Sequence, residues 1–157
     1  MLEAKGLRVA RRSTGDKIKA DTQVYLGDTI GEMGLFLRLT EVAFVGRSLT
    51  ATGGQNPLEP AALGTAVLSG QNVQNFRDSY KKLIGDGNAR LVKDKDMLAA
   101  GVSYLLGNDE VRKKMVDAGL AAINDMQGAL SKTMATLEPY IQPLVVKARL
   151  DRLTDKR

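Results

Sequence analysis

The chain has 157 residues and 43% apolar side chains, enough for one folded domain with a substantial core. It contains no Cys and no His, which excludes disulfides, thiolate chemistry, and the commonest general base and transition-metal ligand among side chains. The net charge of +5 arises at the two ends, in residues 1–19 and 147–157, and aromatic residues are few. This distribution argues against a nucleic-acid-binding face and fits a membrane surface or another domain better.

Strands and helices alternate in the predicted order of elements. The stretch "LEAK" predicts the end of a helix that stops at Gly6. Predicted strands follow in the stretches "GLRVARRS", "TQVYLGD", "EVAFVG", "TAVLSG" and "NARLV". Predicted helices lie in "TIGEMGLFLRLT", which we expect to be buried on much of its surface, then in residues 57–63, "NVQNFRDSYKKLI", "KDMLAAGVSYLL" and "NDEVRKKMVDAGLAAINDM". The tail from Gln127 is predicted to be helical, with interruptions at Pro139 and Pro143.

This order predicts an α/β fold, a Rossmann-like doubly wound parallel sheet with helices on both faces. Such a domain normally opens with a strand, whereas this chain opens on a helix end, so we expect its first strand to lie upstream. We assign residues 1–146 to one domain and residues 147–157 to a basic helical tail. No apolar run approaches the roughly 20 residues that span a bilayer, and we expect the chain as given to be soluble.

The stretch "TGGQNPLEPAALGTAVLSG" joins two predicted strands and allows two interpretations. In the first, Gly53 and Gly54 bring the backbone close to a ligand, and free N–H groups beside a helix start bind an anion. In the second, Asn56 caps the helix, Pro57 takes its first position, and Glu59 completes a capping box. The local pattern leaves both open.

A second glycine-rich stretch, "GDTIGEMG", also lies between a strand and a helix. Because parallel strands end at the same edge of a sheet, we expect the two loops to face one cleft. Two such loops suggest a nucleotide site, with the phosphate at one loop and the base near the other. Asp28 and Glu32 have a plainer interpretation, as a turn residue and an acidic partner of the helix N-terminus.

Four stretches together closely resemble a known family: "LGDTIGEMG", "EVAFVGRSL", "GGQNPLEPAALG" and "NF" at Asn75 and Phe76. They resemble the carboxyl-terminal half of the 3-deoxy-D-manno-octulosonic acid (Kdo) transferases, two-domain GT-B glycosyltransferases of lipopolysaccharide biosynthesis. The resemblance covers nearly the whole chain and weakens after about Asn124. It implies metal-independent transfer of Kdo from CMP-Kdo to the lipid A precursor at the cytoplasmic face of the inner membrane.

The resemblance also implies which residues bind the donor. The residues expected to border the CMP moiety are Gly31, Glu32, Met33, Asn56, Pro57, Leu58 and Glu59, with Glu59 accepting hydrogen bonds from the ribose hydroxyls. A possible phosphate loop comprises Gly53, Gly54 and Gln55. We expect no cofactor, no metal and no catalytic residue in this chain.

The chain departs from the family pattern in several ways. The family's amino-terminal domain, with its glutamate base, acceptor site and membrane anchor, is not in this sequence, and neither is its "HPER"-like segment. We therefore expect the chain alone to be inactive. Gln55 stands where the family usually has His, and Arg47 stands where it often has Gly, a position from which Arg47 is a candidate phosphate partner.

Two alternatives remain open at this stage. One is the donor domain of another GT-B enzyme that uses a UDP-sugar, which base preference would distinguish. The other is a non-catalytic α/β interaction module that kept the fold and lost the site. Retention of Glu32, Asn56 and Glu59 argues against the second, because a structural domain needs no such pair of loops.

Overall fold

The computed structural model describes the backbone of residues 1–154, and the side chains of that stretch apart from residues 129–130 and 146–154. The strands are β1 (Val9–Arg11), β2 (Val24–Leu26), β3 (Val42–Val45), β4 (Ala66–Ser69) and β5 (Ala89–Leu91). The helices are α1 (Met33–Arg38), α2 (Leu58–Ala62), α3 (Arg77–Gly85), α4 (Lys95–Leu106) and α5 (Asp109–Thr154). Single 3-10 turns lie at Glu3–Lys5 and Gln74–Phe76.

All strands pair in parallel, but in two sheets. Strand β1 pairs with β2, and the second sheet has the order β3-β4-β5. The α/β fold class and the Rossmann-like arrangement are confirmed. In a doubly wound sheet the first strand lies between the second and the fourth. If β1 and β2 are counted as the second and third strands and β3 as the fourth, the expected first strand would lie between β1 and β3, where the two sheets are separate. The strand itself stays a prediction.

Strand β4 is the centre of the larger sheet and is buried at all four residues. Because successive side chains point to opposite faces, it contributes to two core clusters. The cluster around Val67 contains residues of α2, α3 and α5. The cluster around Leu68 contains residues of α4 and the first part of α5. Helices therefore cover both faces of this sheet, as the continuous apolar run predicted.

Helix α1 is largely exposed, and the prediction that it is buried on much of its surface was wrong. Leu37 is its one buried residue, whereas Met33 and Leu35 are 58% and 48% exposed. Phe36 contacts Tyr25 of β2 edge-on, with ring centroids 6.1 Å apart. An apolar run shows what a helix can bury, and in this chain only one side of α1 meets a neighbouring element.

Helix α5 continues through Pro139 and Pro143, so the predicted interruptions are also wrong. A helical proline lacks an N–H and leaves the carbonyl four residues earlier without its partner. The residues around both prolines are exposed, so water can hydrate the freed carbonyls of Ala135 and Pro139. Exposure to water therefore explains why the helix can continue through both prolines.

The proposed boundary between residues 146 and 147 falls inside α5, and the division into a domain and a tail stays a prediction. The last residues of the predicted basic tail, 155–157, lie outside the described residues. Within residues 1–154, every helix is too short or too polar to cross a bilayer.

Candidate functional site

The two predicted loops meet at a cavity of about 320 Å³, within the range of roughly 300–1,000 Å³ that ligand pockets occupy. Met33 comes from the first loop, and the second loop contributes Gln55, Asn56 and Glu59. The end of β3 and the facing surfaces of α1 and α2 complete the lining with Leu37, Ala43, Phe44, Val45, Gly46 and Pro60. The cavity thus combines apolar walls with two amides and one carboxylate.

Glu59 is the charged residue of this lining, and its side chain is available to a ligand. It is exposed at the first turn of α2, and in the described part of the chain no hydrogen bond or ion pair engages its carboxylate. Asn56 does have a structural role, because its Oδ1 accepts from the Leu58 N–H at 3.0 Å. This bond closes a turn ahead of α2, whose N-cap position is Pro57, so the predicted capping box of Asn56 and Glu59 is not formed.

Gly53 and Gly54 are buried against the loop that follows β4. The Gly53 N–H donates to Oε1 of Gln74 at 3.0 Å, and the Gly53 carbonyl accepts from the Asn75 N–H. Both glycines have positive φ, and a Cβ at Gly54 would lie 2.5 Å from the carbonyl oxygen of Asn72. Glycine is therefore required here for loop–loop packing, and the phosphate role of Gly53, Gly54 and Gln55 stays a prediction.

The acidic residues of the first loop are paired with two arginines at the end of β1, Arg11 within the strand and Arg12 directly after it. The Arg12 Nη2 lies 2.6 Å from Oε1 of Glu32, and the Thr29 hydroxyl donates to the same carboxylate. The Arg12 hydrogen bonds, with that of Thr29, lower the Glu32 pKa to about 2. Glu32 is thus engaged by the protein itself, and its contact with CMP stays a prediction.

Asp28 is held in the same way. Its carboxylate accepts from the Ser13 hydroxyl at 2.7 Å and from the Arg11 Nε at 2.5 Å. The Ser13 hydroxyl, followed by Arg11, lowers the Asp28 pKa to about 2. Both arginine pairs were missed in the sequence. Parallel strands end at the same edge of a sheet, and this rule also places the end of β1 near the two glycine-rich loops.

The other predicted site residues lie around the cavity without lining it. Gly31 is exposed, with φ +89°, in the loop before α1. Pro57 is fully buried beneath the second loop. Leu58 lines a second, apolar groove of about 560 Å³ between α2 and α5, which also borders Asn56 and Glu59. We place the candidate site in the smaller cavity because both predicted loops contribute to it.

Two buried side chains hold the second loop in place. Ser48 Oγ donates to the Val45 carbonyl at 2.6 Å and accepts from the Gly70 N–H at 2.7 Å. Tyr80, 1% exposed, donates its hydroxyl hydrogen to the Gln55 carbonyl at 3.3 Å. Burial raises the Tyr80 pKa, so the phenol remains a donor at neutral pH. These contacts join distant parts of the chain, and no local signal in the sequence predicts them.

Among the described residues, no group of three Asp or Glu side chains is arranged to hold a metal ion.

No protein-family model matches the chain. Comparison with individual proteins gives a clear result. The 3-deoxy-D-manno-octulosonic acid transferase of Haemophilus influenzae is 34% identical over 143 residues, which is 90% of this chain. The transferase of the same name from Bordetella pertussis is 36% identical over 141 residues, 89% of this chain. The chain is homologous to the Kdo transferases.

The chain spans about a third of the length of these Kdo transferases, 34% of the first and 33% of the second. A solved structure shows which region is similar. The crystal structure of the C-terminal CMP-Kdo binding domain of WaaA from Acinetobacter baumannii superposes with a TM-score of 0.74 and 31% identity, covering 78% of this chain and 64% of the solved one. The resemblance to the carboxyl-terminal half of the Kdo transferases is thereby confirmed.

Proposed function

We propose that this chain binds CMP-Kdo as the donor-binding part of a Kdo transferase, a metal-independent GT-B glycosyltransferase. The observation that supports this most directly is the cavity that joins the two loops and carries the Glu59 carboxylate, which has no partner in the part of the chain that the structure describes. The relatives named Kdo transferases and the solved CMP-Kdo binding domain point to the same ligand.

The lining suggests how the nucleotide lies in the cavity. Met33, Phe44 and Pro60 offer apolar surface for the flat cytosine ring. Glu59 accepts hydrogen bonds from the two ribose hydroxyls, since one carboxylate can accept from both members of a cis-diol. Gln55 and Asn56 place amide groups at the same side of the cavity and are available for polar contacts. CMP is then held by an apolar wall on its base and by charge-assisted hydrogen bonds on its ribose.

In the complete reaction the glycosidic bond to the CMP phosphate breaks, and an oxocarbenium-like centre develops on Kdo. The attacking hydroxyl belongs to the lipid A precursor, and the base that accepts its proton lies outside this chain. We therefore expect the chain alone to bind the donor without transferring Kdo. Its proposed place of action is the cytoplasmic face of the inner membrane, where its basic ends would lie near an anionic surface or the partner domain.

The proposal is tested by titrating the isotope-labelled chain with CMP, UMP and UDP and following backbone amide shifts by NMR. We expect CMP to bind most tightly, with shifts concentrated in residues 27–34 and 53–59. A preference for UDP would assign the chain to a different GT-B enzyme. If no nucleotide causes shifts in either loop, the donor-binding function is contradicted for this chain.

A further inference from the structure

Two of the backbone donors beside the cavity are used by the protein itself. The Gly53 N–H is bonded to Gln74, and the Leu58 N–H at the start of α2 is bonded to Asn56. Helix α2 has only five residues, so its dipole is small. The remaining N–H groups carry only partial charges, so a phosphate bound at this edge of the sheet would be held more tightly by a positive side chain.

The cavity lining provides no cation, and its one charged residue is the acidic Glu59. The two arginines at the end of β1 are already engaged, Arg11 with Asp28 and Arg12 with Glu32. Their guanidinium groups are therefore neutralised by nearby carboxylates and have little charge to offer an anion.

Arg47 differs from both of these arginines. It follows directly after Gly46, which lines the cavity at the end of β3. The residue is exposed, and within the described residues its guanidinium has no hydrogen-bond or ion-pair partner. Arg47 thus places an uncompensated positive charge one residue from the cavity wall.

The backbone of Arg47 is also unusual. Its φ of +55° lies in the left-handed region, and among the described residues it is the one residue other than glycine that adopts a positive φ. The adjoining Ser48 is fully buried, with its Oγ bonded to Val45 and Gly70 and its carbonyl accepting from the Asn72 N–H at 2.9 Å. These hydrogen bonds anchor the residue directly after Arg47. A strained conformation held in this way marks a functional position more often than an ordinary loop residue does.

We propose that Arg47 binds the phosphate of the nucleotide in this cavity; the assignment rests on the donor-binding function proposed above. A planar guanidinium offers two parallel N–H donors to a phosphate and remains charged at any physiological pH. Gln55, which lines the same cavity, is neutral and can offer an amide hydrogen bond but no charge. Arg47 thus supplies the positive charge that the cavity lining lacks.

The test compares two ligands that differ by the phosphate, CMP and cytidine, each titrated against the chain by NMR. In Arg47→Gln we expect CMP affinity to fall about tenfold, the effect of losing a charged hydrogen bond, while cytidine affinity is unchanged. Arg90→Gln, at an exposed position on β5, is the matched control and should alter neither affinity. Arg47→Lys should retain part of the difference between the two ligands because the charge remains.

A fourth variant, Arg47→Gly, separates binding from folding. Glycine adopts positive φ without strain, so the melting temperature should be unchanged or higher while CMP affinity falls as in Arg47→Gln. Unchanged CMP affinity in Arg47→Gln, or an equal loss for CMP and cytidine, would overturn the phosphate assignment and leave the donor-binding function intact. A wild-type chain that binds neither ligand would overturn both.

Discussion

The guanidinium of Arg12 contacts both carboxylate oxygens of Glu32, with its Nε 3.0 Å from Oε2 and its Nη2 2.6 Å from Oε1. Arg12 follows β1, and Glu32 lies directly before α1. The pair therefore ties the small β1-β2 sheet to the helix that borders the cavity. A similar ion pair between Arg11 and Asp28 holds the β2 end of the loop that connects β2 to α1.

These pairs predict how stability depends on pH. Glu32 and Asp28 have pKa values of about 2, below their ordinary values of 4.5 and 3.8. A carboxylate with a lowered pKa stabilises the fold above its unfolded-state pKa, and that stability is lost as the pH falls through the native value. We expect the melting temperature, followed by circular dichroism, to fall as the pH is lowered from about 5 to about 2.

The double variant Asp28→Asn, Glu32→Gln isolates this contribution from that of other carboxylates. The double variant should have a lower melting temperature than the wild type at pH 7. The difference between the two melting temperatures should shrink as the pH falls towards 2. Asp117→Asn, at an exposed position in the interior of α5, is the control and should follow the wild type. Parallel wild-type and double-variant profiles over the whole range would show that the ion pairs contribute nothing to stability.

The fold was largely predictable because its signals are local. The run "TAVLSG" predicted a strand covered on both faces, and β4 is buried at every residue. Gly6 does end the first helical turn, with φ +76°. Pairing between strands is not local, and the one signal for the division into two sheets was indirect, the opening of the chain on a helix end where a strand was expected. The exposure of α1 was missed for the same reason, since burial depends on neighbours that are distant in the chain.

The candidate site was predictable in part. The rule that parallel strands end at one edge correctly brought Met33 together with Asn56 and Glu59. A pair of glycines, however, indicates only that something approaches the backbone. At Gly53 and Gly54 the approaching group is the loop after β4, which the sequence pattern cannot distinguish from a ligand.

Glu59→Gln tests the ribose contact. The variant keeps the size of the side chain but loses the charge, so we expect CMP affinity to fall by about a factor of ten or more. Because no intramolecular partner holds the Glu59 carboxylate among the described residues, the melting temperature should not change. Affinities are measured by NMR or calorimetric titration, with Glu110→Gln as the control.

A ligand change makes the Glu59 test specific. The wild type should prefer CMP to 2′-deoxy-CMP, and Glu59→Gln should reduce that preference, because the carboxylate then no longer distinguishes a diol from a single hydroxyl. An equal loss of affinity for both nucleotides would contradict a ribose contact and indicate a general electrostatic effect.

Asn56→Ala tests the side-chain turn that leads into α2. Loss of the Oδ1 acceptor leaves the Leu58 N–H without its partner, and we expect the free energy of unfolding to fall by about 1 kcal/mol. Urea denaturation measures the change, with the dependence on urea concentration unaltered. Asn56→Asp retains an acceptor and should remain close to the wild type. If the Ala and Asp variants are equally stable, the hydrogen bond has no role in stability.

Gly54→Ala tests whether the second loop needs glycine for packing. Gly54 has φ +70°, and an added Cβ would lie 2.5 Å from the carbonyl oxygen of Asn72, so both the backbone and the neighbouring loop oppose the substitution. We expect a loss of more than about 1 kcal/mol in the free energy of unfolding, measured by urea denaturation.

Gly128→Ala is the opposite case, since Gly128 lies in α5 and a Cβ added there would have no heavy atom within 4 Å. There alanine should stabilise the protein by about 0.5–1 kcal/mol. If Gly54→Ala were as well tolerated as Gly128→Ala, the close packing of the two loops would be contradicted, and ligand binding would become the better explanation for the glycine.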